Sequence, residues 1–112
     1  MKPSNSSFLN GVPELLILQI LQGGEMYGYE LVQAIKDRSG EEIVLAEGVV
    51  YPVLHGLERS GAIAARRQTV NGRSRIYHSL TDKGAERLES LAATWRRLTG
   101  AIGTILGAPS HA

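Results

Sequence analysis

Residues 47–81 read EGVVYPVLHGLERSGAIAARRQTVNGRSRIYHSLT, a helix-like segment followed by two strand-like runs that meet at Asn71-Gly72. Asn-Gly between strand-forming residues is the strongest short-range hairpin signal, because both positions tolerate the φ > 0 that a type I′ turn requires. Such a turn pairs Val70 with Arg73, and the alternation of side chains along a strand sets the rest of the register. Ile63, Ala65, Arg67 and Thr69 then share a face with Ser74, Ile76, His78 and Leu80. This face holds the apolar residues and should turn inward, anchored by Ile63, Ile76 and Leu80. The opposite face carries Arg66, Gln68, Arg73, Arg75 and Tyr77, a poor core and a good surface for phosphate. No acidic residue occurs between Arg59 and Thr81.

In the segment before the hairpin, Val50, Val53, Leu54 and Leu57 fall at i, i+3, i+4 and i+7, one face of a helix. Pro52 lacks an amide donor and is tolerated mainly in a first turn, which places the helix start close to Gly48, and Gly61 closes it. Gly48, Tyr51, Pro52, His55 and Arg59 lie off the apolar stripe. A helix that reads DNA packs one face on its domain and turns polar or small side chains toward base edges. Tyr51 can reach a phosphate or stack on a sugar, His55 can donate to a base or phosphate, and Gly48 permits close backbone approach. On this helix alone an ordinary solvated face explains the same residues equally well. The hairpin tips the balance: Arg66, Arg73 and Arg75 on one face, with no carboxylate nearby in sequence, suit phosphate or minor-groove contact. A helix followed by a basic hairpin is the winged-helix arrangement, mainly α with a small β wing.

Toward the N-terminus, Pro13 and Glu14 open a helix that runs to Gln22, with proline in its first turn and the acid near the positive end of the dipole. Leu15, Leu16, Ile17, Leu18, Ile20 and Leu21 wrap most of its circumference, so it should be buried on two sides, by the core and by a partner subunit. Gly23-Gly24 stops it. A second helix spans Tyr27 to Ser39 with Tyr27, Leu31, Val32 and Ile35 inward, and Gly40 ends it. Ile43 to Leu45 is expected to form a short strand.

Beyond the hairpin, Thr81 caps a last helix in which Leu88, Leu91, Trp95, Leu98, Ile102 and Ile105 step by three, four, three, four and three, the alternation of a coiled-coil seam. A lone domain has little use for such a seam, so these residues are the expected dimerisation surface. Gly100, Gly103 and Gly107 each cost roughly 1 kcal/mol of helix propensity and either fray the end or allow close helix approach. The chain thus divides into a flexible N-terminus (1–10), a winged-helix DNA-binding domain (11–81), a C-terminal dimerisation helix (82–107) and a tail (108–112).

With 112 residues, this is one domain whose last helix needs a partner. Twelve Lys+Arg against eleven Asp+Glu leave a net charge of +1, so nucleic-acid affinity must come from local clustering. Charge is segregated: Glu25 to Glu47 leans acidic and the hairpin basic. The absence of cysteine excludes disulfides and thiolate chemistry. Leu15 to Leu18 is too short to span a bilayer, and nothing at Met1 to Asn10 reads as a signal peptide, so a cytoplasmic location is expected. His55, His78 and His111 are scattered, and neither metal-ligand spacing, a nucleophile-base pair nor a glycine-rich phosphate loop is present; no enzyme, metal or cofactor is expected.

Tyr27-Gly28-Tyr29-Glu30-Leu31, Glu47-Gly48-Val49-Val50-Tyr51-Pro52-Val53-Leu54 with Leu57-Glu58 and Gly61, and Leu80-Thr81-Asp82-Lys83-Gly84 together resemble the PadR family of winged helix-turn-helix transcriptional regulators. The likeness covers roughly Pro13 to Leu106 and is to the small subgroup with one C-terminal dimerisation helix. It implies a homodimer that binds a palindromic operator on double-stranded DNA, usually as a repressor, with the Tyr51 helix in the major groove and the Asn71-Gly72 wing over the minor groove. His78 departs from the family, which often has tyrosine there, and its inward position suits a packed, hydrogen-bonded histidine better than a pH sensor. Small drug-sensing members hold flat aromatic molecules between the two last helices. Trp95 is therefore either a bulky core residue or a stacking platform for a small aromatic effector. The rival to DNA binding is a winged helix whose basic wing docks on an acidic protein.

Overall fold

The structure is a computed structural model and describes residues 11–107; the segments expected to be a flexible N-terminus and a tail lie outside the described residues. Four helices and a three-stranded sheet follow in the order α1 (Val12–Leu21), β1 (Met26–Tyr27), α2 (Gly28–Arg38), α3 (Glu47–Arg59), β2 (Ile63–Val70), β3 (Arg73–Leu80) and α4 (Asp82–Leu106). The hairpin register is the expected one, Val70 opposite Arg73 through to Ile63 opposite Leu80, with Asn71 (φ 51°) and Gly72 (φ 77°) both in the left-handed region. The sheet also has a strand that periodicity missed. Met26 and Tyr27 pair antiparallel with His78 and Tyr77, so the strand order is β1-β3-β2.

The first three helices enclose one core. Ile17 and Leu18 of α1, Leu31 of α2, and Val50 and Leu54 of α3 are fully buried. Each such side chain stabilises the fold by about 1.5–3 kcal/mol. In α1, Pro13 and Glu14 occupy the first turn as expected. Glu14 also pairs with Arg87 and so ties α1 to α4. At the head of α2, Tyr27 has no hydroxyl that can do the work of a capping serine, and the Glu30 carboxylate accepts from its backbone N–H instead (3.1 Å).

Two expectations about the middle of the chain are corrected. Ile43 to Leu45 is not a strand, and the Ser39 side chain takes up the Ile43 amide that a ladder would need. Ser39 Oγ accepts from the Ile43 N–H (3.0 Å), so that donor is not free for a neighbouring strand. Pro52 sits past the first turn, although α3 begins at Glu47, within one residue of the expected start. The carbonyl that its missing amide would have served belongs to exposed Gly48, where water can satisfy it.

At the base of the hairpin Thr81 caps α4 as expected, its Oγ1 accepting from the Gly84 N–H (3.0 Å). The same hydroxyl lies within hydrogen-bond reach of the carbonyl oxygens of Gly61 (2.6 Å) and Ala62 (2.9 Å). Gly84 is required for this junction: a Cβ there would stand 2.0 Å from the Ala62 carbonyl oxygen. Leu88 is 3% exposed and belongs to the core of its own chain, with Leu91 packed against that core. Beyond Leu91 the helix runs out of partners. Leu98, Ile102, Ile105 and Leu106 are 36%, 42%, 84% and 77% exposed. The radius of gyration of 16.0 Å, against about 13 Å for a compact chain of ~100 residues, reflects this projecting helix.

Candidate nucleic-acid interface

α3 packs its Val50-Leu54-Leu57 stripe into the core and leaves Gly48, Tyr51, Pro52, His55 and Arg59 exposed, all five on the surface that the sequence assigns to DNA. Tyr51 is not a free-swinging side chain. Its ring lies over the first residue of α2: a Cβ on Gly28 would stand 2.5–2.7 Å from Cε1, Cζ and Oη of Tyr51. The two family-like motifs at Tyr27-Gly28 and Glu47–Leu54 thus form one contact, in which a residue without a side chain lets the phenol lie flat against the domain. Val49 was missed in the sequence because it reads as helix filler, yet it is 41% exposed on the flank of α3 and offers an apolar contact of the kind that recognises a thymine methyl.

The wing departs from its sequence reading in two ways. Ile76 is 42% exposed, so only Ile63, His78 and Leu80 meet the helices. The hairpin is longer than the layer beneath it, and its tip projects into solvent. Arg67, assigned inward, is consequently exposed and donates to Ser74 Oγ (2.8 Å).

On the outer face the arginines are not all unpartnered, as the lack of nearby acids in sequence suggested. Glu25, just before β1, receives a two-pronged contact from Arg66. Arg66 also donates to Gln68 Oε1 (2.6 Å) and lies over the Tyr77 ring, 5.1 Å from its centroid. Tyr77 meets Tyr27 edge to face at 5.5 Å, and Arg75 lies 4.5 Å above the Tyr27 ring. Cation–π contacts of this kind pre-orient a guanidinium without neutralising it. Arg73, beside the turn, is exposed and has no ion pair or ring contact among the described residues. The hydrogen bond from Arg66 holds the Glu25 carboxyl below its ordinary value of 4.5 despite some desolvation, and Glu25 raises Arg66 in turn.

His78 is 5% exposed, packed as expected but not fully hydrogen-bonded: its Nδ1 has no partner. Burial pushes its pKa below 6.5, partly offset by Glu58 and reinforced by His55. An unfolded chain therefore takes up this proton before the folded one does, and stability from neutral His78 is complete above 6.5 and is lost as the pH falls toward the folded value. The melting temperature should drop as the pH falls below about 6.5, a window above that of Glu25, and much less so in His78→Phe. Equal slopes for the two proteins would remove His78 as the cause.

Along α4, Trp95 is half-buried between the covered residues Leu88 and Leu91 and the uncovered Leu98, Ile102 and Ile105. Beside this stretch, Gln19, Gln22, Ala85, Glu89, Ala92 and Arg96 line an open groove of about 430 Å³ between α1 and α4. No group of histidine, cysteine, aspartate and glutamate suited to a metal occurs among the described residues, and no helix there is long and apolar enough to cross a membrane.

Comparison with known proteins agrees with this geometry. The chain is 35% identical over 82 residues to the transcriptional regulator YqjI of Escherichia coli, covering 73% of this chain but only 38% of that protein. It is 30% identical over 104 residues to the transcriptional regulator Rv3488 of Mycobacterium tuberculosis, covering 93% and 92% of the two chains. Among solved structures, a transcriptional regulator from Clostridium thermocellum superposes with a TM-score of 0.80 at 25% identity, covering 88% of this chain and 94% of the other. Bacillus subtilis PadR, solved in complex with operator DNA, superposes with a TM-score of 0.66 at 26% identity, covering 70% of this chain and 45% of that one. The model of the transcriptional regulator PadR-like family matches residues 17–90. With the winged-helix order of elements, the Tyr51–Gly28 contact and the arginine-bearing hairpin in place, the chain belongs to the PadR-like family of transcriptional regulators.

Proposed function

We propose that this protein is a homodimeric, sequence-specific DNA-binding repressor that acts on a palindromic operator in the cytoplasm. The observation that carries the reading is the pairing of an exposed α3 face with a hairpin whose tip presents Arg73 without an ion-pair partner among the described residues. In this reading residues 11–81 form the DNA-binding unit, and residues 82–107 join the subunits. Tyr51, His55, Arg59 and the backbone at Gly48 meet the major groove, while Arg73 and Arg75 hold phosphates beside the minor groove. The likeness to a family member solved on operator DNA supports this docking. Binding to DNA from upstream of its own gene, measured across a salt series, tests it: phosphate contacts release counterions, so affinity should fall steeply with salt. No specific binding at low salt would favour the protein-docking alternative.

Dimerisation rests on Leu98, Ile102 and Ile105, which the single chain leaves uncovered. Leu98→Glu with Ile102→Glu places charges on that seam and should convert a dimer into a folded monomer in sedimentation, since both residues are already exposed in the lone chain. A dimer that persists in the double variant would place the interface elsewhere. A small flat aromatic effector, stacked on Trp95 between the two last helices, would relieve repression by altering the spacing of the wings.

A further inference from the structure

We propose that Glu25 is an internal stand-in for a DNA phosphate: it occupies Arg66 in the free protein and thereby lowers the sequence-independent part of DNA affinity. The inference rests on the DNA-binding reading above and concerns one residue that reading leaves without a role. Glu25 belongs to the acidic N-terminal half of the chain, and the turn into β1 brings its carboxylate to the basic face of the wing. The contact with Arg66 is forked, Nε and Nη2 reaching the two carboxylate oxygens. A phosphate presents the same pair of acceptors to a guanidinium.

Three features make the fork exchangeable rather than structural. Both partners are partly exposed, with side-chain exposures of 51% for Arg66 and 36% for Glu25, so the pair is screened and weak. Arg66 keeps its orientation without Glu25, because Gln68 and the Tyr77 ring hold the guanidinium independently. Arg66, Arg73 and Arg75 share one face of a single hairpin, and Glu25–Arg66 is the only ion pair on that face among the described residues. While Glu25 holds the fork, one of the three cations is neutralised and a carboxylate stands where phosphates approach. Removing it frees one cation per wing.

The test compares wild type, Glu25→Gln and Glu25→Ala for binding to a mixed-sequence duplex by fluorescence anisotropy over a range of salt. Both variants should bind more tightly at low salt. Their salt dependence should steepen by about 0.9 per freed arginine, so each wing adds about a threefold larger loss of affinity between about 50 and 200 mM salt. Arg66→Ala leaves the Glu25 carboxylate uncompensated and should weaken binding, whereas Arg66→Ala combined with Glu25→Ala, which restores the net charge of the wild-type pair, should abolish the gain. Unchanged affinity and slope in both Glu25 variants overturn the inference, and so does weaker binding, which would make the fork a brace that positions the wing. If wild type binds no duplex at low salt, the DNA-binding reading itself fails, an outcome distinct from a wild type that binds and variants that match it.

Discussion

A methyl group on Gly84 is expected to lower the melting temperature by about 8–16 °C. Two effects oppose each other. Replacing a helical glycine by alanine ordinarily gains about 1 kcal/mol in helix propensity, and Gly84 lies in the first turn of α4. Against that gain, the new Cβ would stand 2.0 Å from the Ala62 carbonyl oxygen and 2.8 Å from Leu80 Cδ1. The first obstacle is backbone at the foot of the hairpin, already in hydrogen bonds with the Thr81 N–H and lying near its hydroxyl, so it cannot give way without shifting the wing. Overpacking of this kind costs about 3 kcal/mol, the upper part of the usual range, and each kcal/mol moves the melting point of a domain this size by about 4–8 °C. Gly56→Ala supplies the contrast: its Cβ would meet only the far end of Arg59, at 3.8 Å, so the propensity gain should show as a rise in melting temperature. If Gly84→Ala also melts higher than wild type, the close approach of α4 to the hairpin is wrong.

Arg73→Ala combined with Arg75→Ala should weaken binding to unrelated duplexes by about tenfold or more and to the operator by more than that, and flatten the salt slope by about one per arginine in each wing. The two residues act through different local structure, and the single variants separate their roles. Arg73 is exposed beside the turn without an ion pair or ring contact among the described residues, so Arg73→Ala removes charge alone. Arg75 lies over Tyr27, which caps α2 at the residue before Gly28, and Gly28 underlies Tyr51. Its removal therefore loosens the stack joining the wing to the recognition helix as well as taking away a cation. Arg75→Ala should reduce discrimination between operator and unrelated DNA, whereas Arg73→Ala should leave the ratio intact. Affinity and slope unchanged in the double variant would take the wing out of the binding mechanism.

The short strand β1 gives this coupling its geometry. Met26 points to the core side of the sheet and Tyr27 to the outer side, where it meets Tyr77 and Arg75, and the chain then turns directly into α2. Wing, second helix and recognition helix thus meet within Tyr27-Gly28. A larger residue at position 28 would push the Tyr51 ring outward, which explains in physical terms why glycine stands between two tyrosines.

The sequence by itself determined the elements whose signals are local. Asn71-Gly72 specified the turn and with it the pairing from Val70–Arg73 to Ile63–Leu80, Thr81 marked the start of α4, and the stripe of Val50, Leu54 and Leu57 identified the inner face of α3. Turn chemistry, capping and periodicity act over a few residues, so they can be read without knowing what lies opposite. Tertiary structure decided what depends on partners distant in the chain. β1 spans two residues, too few to show a period, and exists because β3 presents an edge with unpaired backbone groups. Arg66 looked unpaired because its carboxylate partner lies 41 residues away at Glu25. Ile76 looked inward because alternation gives a side chain's direction along a strand but not how far the layer beneath it extends. Leu88 and Ile105 share one heptad pattern, yet the first is buried in its own domain and the second is uncovered, since only the packing of α4 against α1 sets where the core ends and the face for a partner begins.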